Sequence, residues 1–342
     1  MNIKSLNRKL NKKFAGRVTA RLSDGCIVLT GELDDWNDVV DAGMTAATPH
    51  SSTHVVNDIV FTGAAEEKMH MPAINDKALD GEKPDVLVIG GGISGCSVAR
   101  ELSRYKLSVL LIDKEADLAL GASGRNDGEV HPGVDLSKGS LKHKYIRRAN
   151  HMYEDLCREL DVPFKRTGQY ACFTHKSWLP FVSLYAKWRR DHDGIEDTCI
   201  VMGDEIRKKE PKISADVAFA LSNPSSGSVS PYNLVIAYAE NAVQNGARVS
   251  LNTAVTGMDV SGGEIKAVYT NRGTIYPREV INCAGVYSDV VAQMAQDRFF
   301  SIHPRRGTNS ILDKKTGASF HGIASIVMSQ SPVQTHTKGG GI

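Results

Sequence analysis

An α/β fold is predicted: a parallel sheet with helices, a mixed β-sheet region beside it, and a small αββαβ module ahead of both. Three observations predict it. Residues 86–114, VLVIGGGISGCSVARELSRYKLSVLLIDK, read as an apolar strand, a glycine turn, a helix and a second apolar strand. Residues 230–282 read as a helix followed by strands, the later ones parted by Gly262-Gly263 and Asn271-Arg272-Gly273 turns. The first 61 residues switch between helical and alternating apolar spacing. At 342 residues and 37.1 kDa the chain exceeds one comfortable core, so several domains are expected.

Along the chain, Ile3, Leu6, Leu10 and Phe14 recur at helical spacing, with Lys4, Arg8, Lys9, Lys12 and Lys13 elsewhere around the helix. Such a helix either packs its apolar face into a small domain or lays it on an anionic membrane surface, so peripheral membrane contact stays open as an alternative. Residues 17–22 and 26–30 flank Asp24-Gly25 and predict a β-hairpin. Trp36, Val39, Val40, Met44 and Ala47 are expected on one helix face, and residues 54–61 as a third strand. Residues 64–84 lack periodicity and carry Pro72 and Gly81, which predicts a linker. Leu141, Tyr145, Ala149, Met152, Tyr153, Leu156 and Leu160 are expected as the inner stripe of a long helix. A strand at 168–174, a helix at 178–190 and a helix opened by Ser230-Pro231 and stopped by Gly246 follow. The expected strands after it are 248–253, 254–260, 264–270 and 274–282.

With 41% hydrophobic and 23% charged residues and a net charge of +2, the composition is that of an ordinary globular protein with no argument for a nucleic-acid partner. The six cysteines never form a CxxC pair, so buried reduced thiols and no metal site are expected. The start MNIKSLNRKLNKKF lacks a secretory apolar core and no apolar run is long enough to span a bilayer, which points to the cytoplasm.

The glycine turn carries the chemistry. Gly90 permits the tight turn, Gly92 lets backbone approach a pyrophosphate, and Gly95 lets the helix lie close on the strand. Helix N–H groups then face the phosphates. Asp113 falls 18 residues after Gly95, where a carboxylate accepts hydrogen bonds from a ribose diol. This is a Rossmann-like dinucleotide site, and two later segments select FAD over NAD. GASGRNDGEVHPG, residues 121–133, offers small residues, a hydroxyl, an Arg and an Asn to a flat ring; REVINCAG, residues 278–285, resembles the second nucleotide-contacting turn of flavoproteins.

Two resemblances extend this reading. DGCIVLTGEL and HVVNDIVF, in αββαβ order, resemble the BON domain, which implies a ligand-free interaction or membrane-surface module over residues 1–63. From residue 85 onward, GGGISG, GASGRNDGEVHPG, GSVSPYNLVIAYAENAVQNGARV, VINCAGVYSD and HPRRG resemble the glycine-oxidase/D-amino-acid-oxidase superfamily of flavoproteins, and within it FAD-dependent glycerol-3-phosphate dehydrogenases and 2-hydroxyglutarate oxidases. The resemblance implies an FAD-binding domain from residues 85–165 and 225–300 and a partial substrate domain from 166–224 and 301–342. It also implies that Gly90, Gly92 and Gly95 bind the pyrophosphate and Asp113 the adenosine ribose. Ala122, Ser123 and Asn126 would line the flavin, Val255 would touch the adenine, and Gly285 would close the second turn. Ile93, Ser94, Lys114, Gly121 and Ala284 complete the expected cofactor set.

His131 sits where that loop should pass the flavin, either as the base that takes a hydroxyl proton or as a hydrogen-bonding loop histidine. Arg305 and Arg306 are placed to clamp a small anionic substrate, or else to end a strand in solvent; Thr308 stands where the family usually has an acid. Relative to the family, the chain ends within the substrate domain, so it is expected to be truncated. The implied reaction is oxidation of glycerol 3-phosphate or a similar 2-hydroxy compound. The alternatives are 2-hydroxyglutarate, an amine or amino-acid substrate, or a non-catalytic piece acting through its first module.

Overall fold

The computed structural model describes residues 2–47, 54–64, 69–195, 197–304, 307 and 323–328. The chain divides into two compact units, residues 1–122 with 238–307 and residues 123–237 with 308–342. Helix α1 (Ile3–Phe14) starts at Asn2, whose side chain accepts from Lys4 N–H at 2.9 Å. Leu6, Leu10 and Phe14 are buried together with Val18, Leu29, Leu33 and Val39, each contributing about 1.5–3 kcal/mol. The apolar face of α1 is therefore inside the module, and Lys4, Arg8, Lys9, Lys12 and Lys13, with Ser5 and Asn11, lie on its exposed side. This corrects the alternative in which that apolar face meets a membrane.

Strands β1 (Val18–Ser23) and β2 (Cys26–Leu33) pair antiparallel across Asp24 and Gly25, both at positive φ (49° and 76°), the geometry a two-residue hairpin needs. After α2 (Trp36–Ala46), strand β3 (Val55–Phe61) returns parallel to β2. The order is αββαβ. The inner face of α2 is Val39, Ala42 and Ala46, whereas Met44 is 68% exposed, so the expected phase was wrong. Small alanines let the helix lie close to the sheet, and Trp36 turns sideways to meet the rings of Phe61 and His303 at 5.4 and 5.3 Å.

From Ile74 onward the stretch expected as a linker is a strap. Asp76 N–H, Leu79 N–H and Gly81 N–H donate to Asn271, Arg272 and Thr274 carbonyls at 2.8–3.1 Å. Arg272 clamps Asp76 at 2.9 Å, Arg248 clamps Glu82 at 2.6 Å, and Leu79 is buried. Hydrogen bonding to Arg272 and Arg248 holds the Asp76 and Glu82 carboxyls below their ordinary range.

Next come β4 (Val86–Ile89), α3 (Ile93–Leu102) and β5 (Val109–Ile112), both strands buried throughout. The second unit then holds β6 (Glu129–Val130), α4 (Leu141–Glu159), β7 (Phe164–Lys165), β8 (Gln169–Phe173), α5 (Leu179–Asp193), β9 (Cys199–Met202), α6 (Gly203–Lys209), β10 (Phe219–Asn223) and β11 (Gly227–Val229). Helix α7 (Pro231–Gln244) precedes β12 (Arg248–Ser250), β13 (Val255–Ser261), β14 (Glu264–Thr270), β15 (Gly273–Ile275), β16 (Glu279–Asn282) and α8 (Ser288–Met294), with β17 (Ile323–Met328) last.

In the first unit β12-β5-β4-β16 form a parallel sheet, and β13-β14-β15 an antiparallel one. Residues 274–282, expected as one strand, are two: β15 pairs with β14, β16 with β4, and Tyr276-Pro277-Arg278 breaks between them because proline cannot donate to a ladder. In the second unit the sheets are β17-β8-β10-β9 and β6-β11-β7.

Helix α4 reverses expectation. Its buried residues are His143, Asn150 and Cys157, while Leu141, at 71% exposure, Tyr145 and Met152 face outward. The inner face is polar because it has polar work: Asn150 Nδ2 donates to the carbonyls of His131 and Ser225, both at 3.0 Å, and Arg166 donates to Asn150 Oδ1 and O at 3.1 and 2.8 Å. In α5 the buried Arg189 pairs with the buried Asp193 at 2.5 Å and donates to Gly133 O and Leu136 O.

Candidate functional site

The site begins where the parallel sheet changes direction. β5 lies on one side of β4 and β16 on the other, so the chain leaves β4 for opposite edges, the arrangement that opens a crevice at the C-terminal ends of the strands. Two turns line it. After β4, Gly90 takes φ +111°, and a Cβ there would lie 2.7 Å from the Cys283 carbonyl carbon and 3.1 Å from Ala284 Cα. After β16, Cys283 N–H donates to Ile89 O at 2.8 Å, Ala284 N–H donates to Asn282 Oδ1 at 3.2 Å, and Gly285 takes φ +59°. A Cβ on Gly95 would strike Gly90 O, with Gly90 C at 3.0 Å, so only glycine lets α3 start this close to the strand.

Gly92 is the N-cap of α3 and carries no side-chain cap; Cys96 N–H closes the first turn on Gly92 O at 3.0 Å. Ile93 and Ser94 are exposed at that end and Gly92 half-exposed, so the corner is open rather than packed against protein. A helix start with glycine at its N-cap, between two glycine turns, is a cradle for a diphosphate.

Asp113, at the end of β5, accepts from Gly91 N–H through Oδ2 at 2.5 Å and from Glu115 N–H through Oδ1 at 2.8 Å. Each carboxylate oxygen keeps a second lone pair, so this brace leaves acceptor capacity for a ribose diol. Lys114 is paired with Glu115, and its Nζ lies 5.3 Å from the centre of the Tyr287 ring. Val255 has its side chain in the core beside Leu110, Ile112 and Val268, which leaves main chain as the part it can offer an adenine. Burial, with the charge of Asp113 and the neighbouring Cys283 adding to it, pushes the Cys96 thiol up to about 12; it stays protonated and takes no part in thiolate chemistry.

Gly121 and Ala122 belong to the first unit, Ser123, Asn126 and His131 to the second. Ala122–Gly124 is a short 3-10 turn; Asn126 folds over it, donating to Ser123 O at 2.7 Å and accepting from Gly128 N–H at 2.9 Å. His131 Nδ1 lies 3.3 Å from Oε1 of Glu129, whose side chain is 1% exposed, and Gln169 Nε2 donates to the same oxygen at 2.8 Å. The sequence reading missed Glu129, Gln169 and Asn150. The only signal for Glu129 was a charged residue two before His131, at the spacing that puts alternate residues of extended chain on one side. Arg305, Arg306 and Thr308 lie outside the described residues. Among the described residues no cluster of His, Cys, Asp or Glu could hold a metal ion, and no helix is long and apolar enough to cross a membrane.

Known proteins share this arrangement. A glycerol 3-phosphate dehydrogenase of Caloramator mitchellensis is 36% identical over 234 residues, covering 68% of this chain and 48% of that protein. An L-2-hydroxyglutarate dehydrogenase of Indibacter alkaliphilus is 33% identical over 227 residues, covering 65% of this chain and 56% of that protein. The chain thus spans about half the length of the curated relatives it matches. Among solved structures, dithionite-reduced L-alpha-glycerophosphate oxidase of Mycoplasma pneumoniae with FAD bound aligns at TM-score 0.57 and 26% identity, covering 63% of this chain and 57% of that one. Glycine oxidase of Bacillus cereus aligns at TM-score 0.55 and 24% identity, covering 61% and 57%, and shares the fold. The model of the FAD dependent oxidoreductase family, DAO, matches residues 85–340, and with the two-turn glycine cradle in place the chain belongs to that family of FAD-dependent dehydrogenases and oxidases.

Proposed function

We propose that this chain binds FAD at the β4–α3 corner and takes part in oxidising a small anionic 2-hydroxy compound, glycerol 3-phosphate first. The observation that carries the reading is the glycine-capped start of α3 between Gly90 and the Gly285 turn. Gly90, Gly92 and Gly95, with Ile93 and Ser94, would hold the pyrophosphate through main-chain N–H groups. Asp113 would take the adenosine ribose, Val255 main chain the adenine, and Ala284 with Gly285 the nucleotide from the other side. Gly121, Ala122, Ser123 and Asn126 would lie along the flavin, and Lys114 would add positive charge nearby.

When bound, FAD supplies a hydride acceptor at flavin N5. The chain's share is positioning and proton transfer. In such a reaction His131 would accept the hydroxyl proton at Nε2 while the bound flavin would supply the two-electron acceptor, so that the alcohol would leave as a carbonyl compound. Arg305 and Arg306 would anchor the substrate's phosphate or carboxylate by bidentate hydrogen bonds. The identity to the Caloramator dehydrogenase supports the phosphate substrate, and that to the Indibacter enzyme supports 2-hydroxyglutarate as the second reading. The N-terminal module, BON-like in its motifs, would act as an interaction module.

The test is anaerobic bleaching of the yellow flavin band in the FAD-loaded chain. Glycerol 3-phosphate should bleach it, and His131→Asn should slow bleaching while flavin stays bound. Bleaching by glycine or sarcosine instead would place the chain among amine oxidases. A chain that ignores added FAD would end the enzymatic reading.

A further inference from the structure

We propose that Glu129 is a positioning residue for His131, fixing the imidazole proton on Nδ1 so that Nε2 is the basic nitrogen. The proposal rests on the reading of His131 as the proton acceptor. A carboxylate that is 1% exposed is costly unless donors surround it, and the structure supplies Nδ1 of His131 at 3.3 Å and Nε2 of Gln169 at 2.8 Å, both on Oε1.

The orientation of Glu129 is itself built. Gln169 and Asn223 are partners across the antiparallel β8–β10 pair, and Asn223 Nδ2 donates to Gln169 Oε1 at 3.4 Å. Thr198, fully buried, donates its hydroxyl to Asn223 Oδ1 at 2.8 Å. Hydrogen bonds therefore run one way, from the Thr198 hydroxyl through two amides to Glu129. An acceptor-only carboxylate at one end fixes which way both amides face.

The main chain of His131 is held as firmly, since its carbonyl accepts from Asn150 Nδ2 at 3.0 Å and Asn150 is braced by Arg166. The backbone is thus held, and one ring nitrogen faces the carboxylate. The ring remains 37% exposed, and its uncommitted corner is Nε2. A carboxylate on one nitrogen of a histidine sets the tautomer and leaves the other nitrogen as the proton acceptor, the logic of an orienting carboxylate behind a catalytic imidazole.

Imidazole nitrogen NMR on the full flavin-free chain tests this directly, with His131→Asn identifying the resonances. In the neutral ring the wild-type proton should sit on Nδ1, and Glu129→Gln should move the population toward the Nε2-protonated form that free imidazole prefers. An Nε2-protonated His131 in the wild type overturns the proposal without any variant, and so does an unchanged tautomer in Glu129→Gln. In the FAD-loaded chain with glycerol 3-phosphate, Glu129→Gln should lower kcat about 10- to 100-fold with KM within about threefold. A shifted tautomer with unchanged kcat also overturns the positioning role. Full activity of His131→Asn would instead remove the base reading, while the tautomer measurement still decides whether Glu129 sets the ring.

Discussion

Replacing Gly90 by alanine should open the cofactor crevice. Its Cβ would lie 2.7 Å from the Cys283 carbonyl carbon, where ordinary contact begins at 3.4 Å, so the turn after β16 must retreat by at least about 0.7 Å. The residue also sits at φ +111°, which an L side chain rarely adopts. Strain of about 1–3 kcal/mol and overpacking of about 1–3 kcal/mol together remove a large part of a typical folding free energy. A retreat of that size carries N–H···O bonds of ordinary length out of range, and each charge-assisted bond lost is worth about 1.5–3 kcal/mol, or about 10- to 100-fold in Kd. FAD titration by flavin fluorescence quenching, beside thermal unfolding, reads both effects. Gly246→Ala is the control: it shares a positive φ of +96° but its Cβ would meet nothing within 4 Å. It should lose stability through strain alone and keep FAD affinity. If Gly90→Ala binds FAD within about twofold of wild type and melts like Gly246→Ala, the two-turn cradle has been misread.

Gly92→Val should fold normally, because φ −85° suits any residue, yet lose FAD retention by blocking backbone approach; yellow protein after gel filtration would contradict it. Arg189→Ala should cost up to about 3–5 kcal/mol by removing the nearer of two cations from the buried Asp193 carboxylate, Lys138 remaining at 3.5 Å, seen as a large drop in Tm of the second unit. Acid should loosen the strap: the Asp76, Glu82 and Asp85 carboxyls are held below their ordinary values of 3.8 for Asp and 4.5 for Glu, so their contribution is intact above those values and is lost as pH falls through the depressed folded ones. Hydrogen exchange of residues 76–82 followed down the pH scale should show this, and Arg272→Ala should weaken the dependence.

Much of this was legible in the chain because certain residues have one physical use. Gly90 and Asp24-Gly25 declare their turns through conformations other residues avoid, Gly95 declares the close approach of α3 to Gly90, and β4 and β5 announce burial through unbroken Val, Leu and Ile. Helix α4 was misphased because periodicity assumes the apolar face points inward, whereas Asn150 and His143 occupy that side and Asn150 anchors a loop. The strap was illegible since its hold comes from Asp76, Leu79 and Gly81 meeting residues nearly two hundred positions away, which no local pattern encodes. Glu129 likewise acquires its meaning from Gln169 on another strand.

The seating of the N-terminal module has a consequence for how the protein is made. Asn57 N–H donates to Ser301 Oγ at 2.7 Å, Arg298 pairs with Asp58 at 2.7 Å, and the rings of His54 and Trp36 meet Phe299 and His303. These partners are 244 positions apart at Asn57 and Ser301. On a ribosome the module has its own core and completes early, but its docking ridge emerges only after nearly the whole nucleotide sheet has been synthesised. Until then Trp36 and the edge of β3 stand bare, so the interval between the two events is when this chain is most open to capture by chaperones or by another nascent copy.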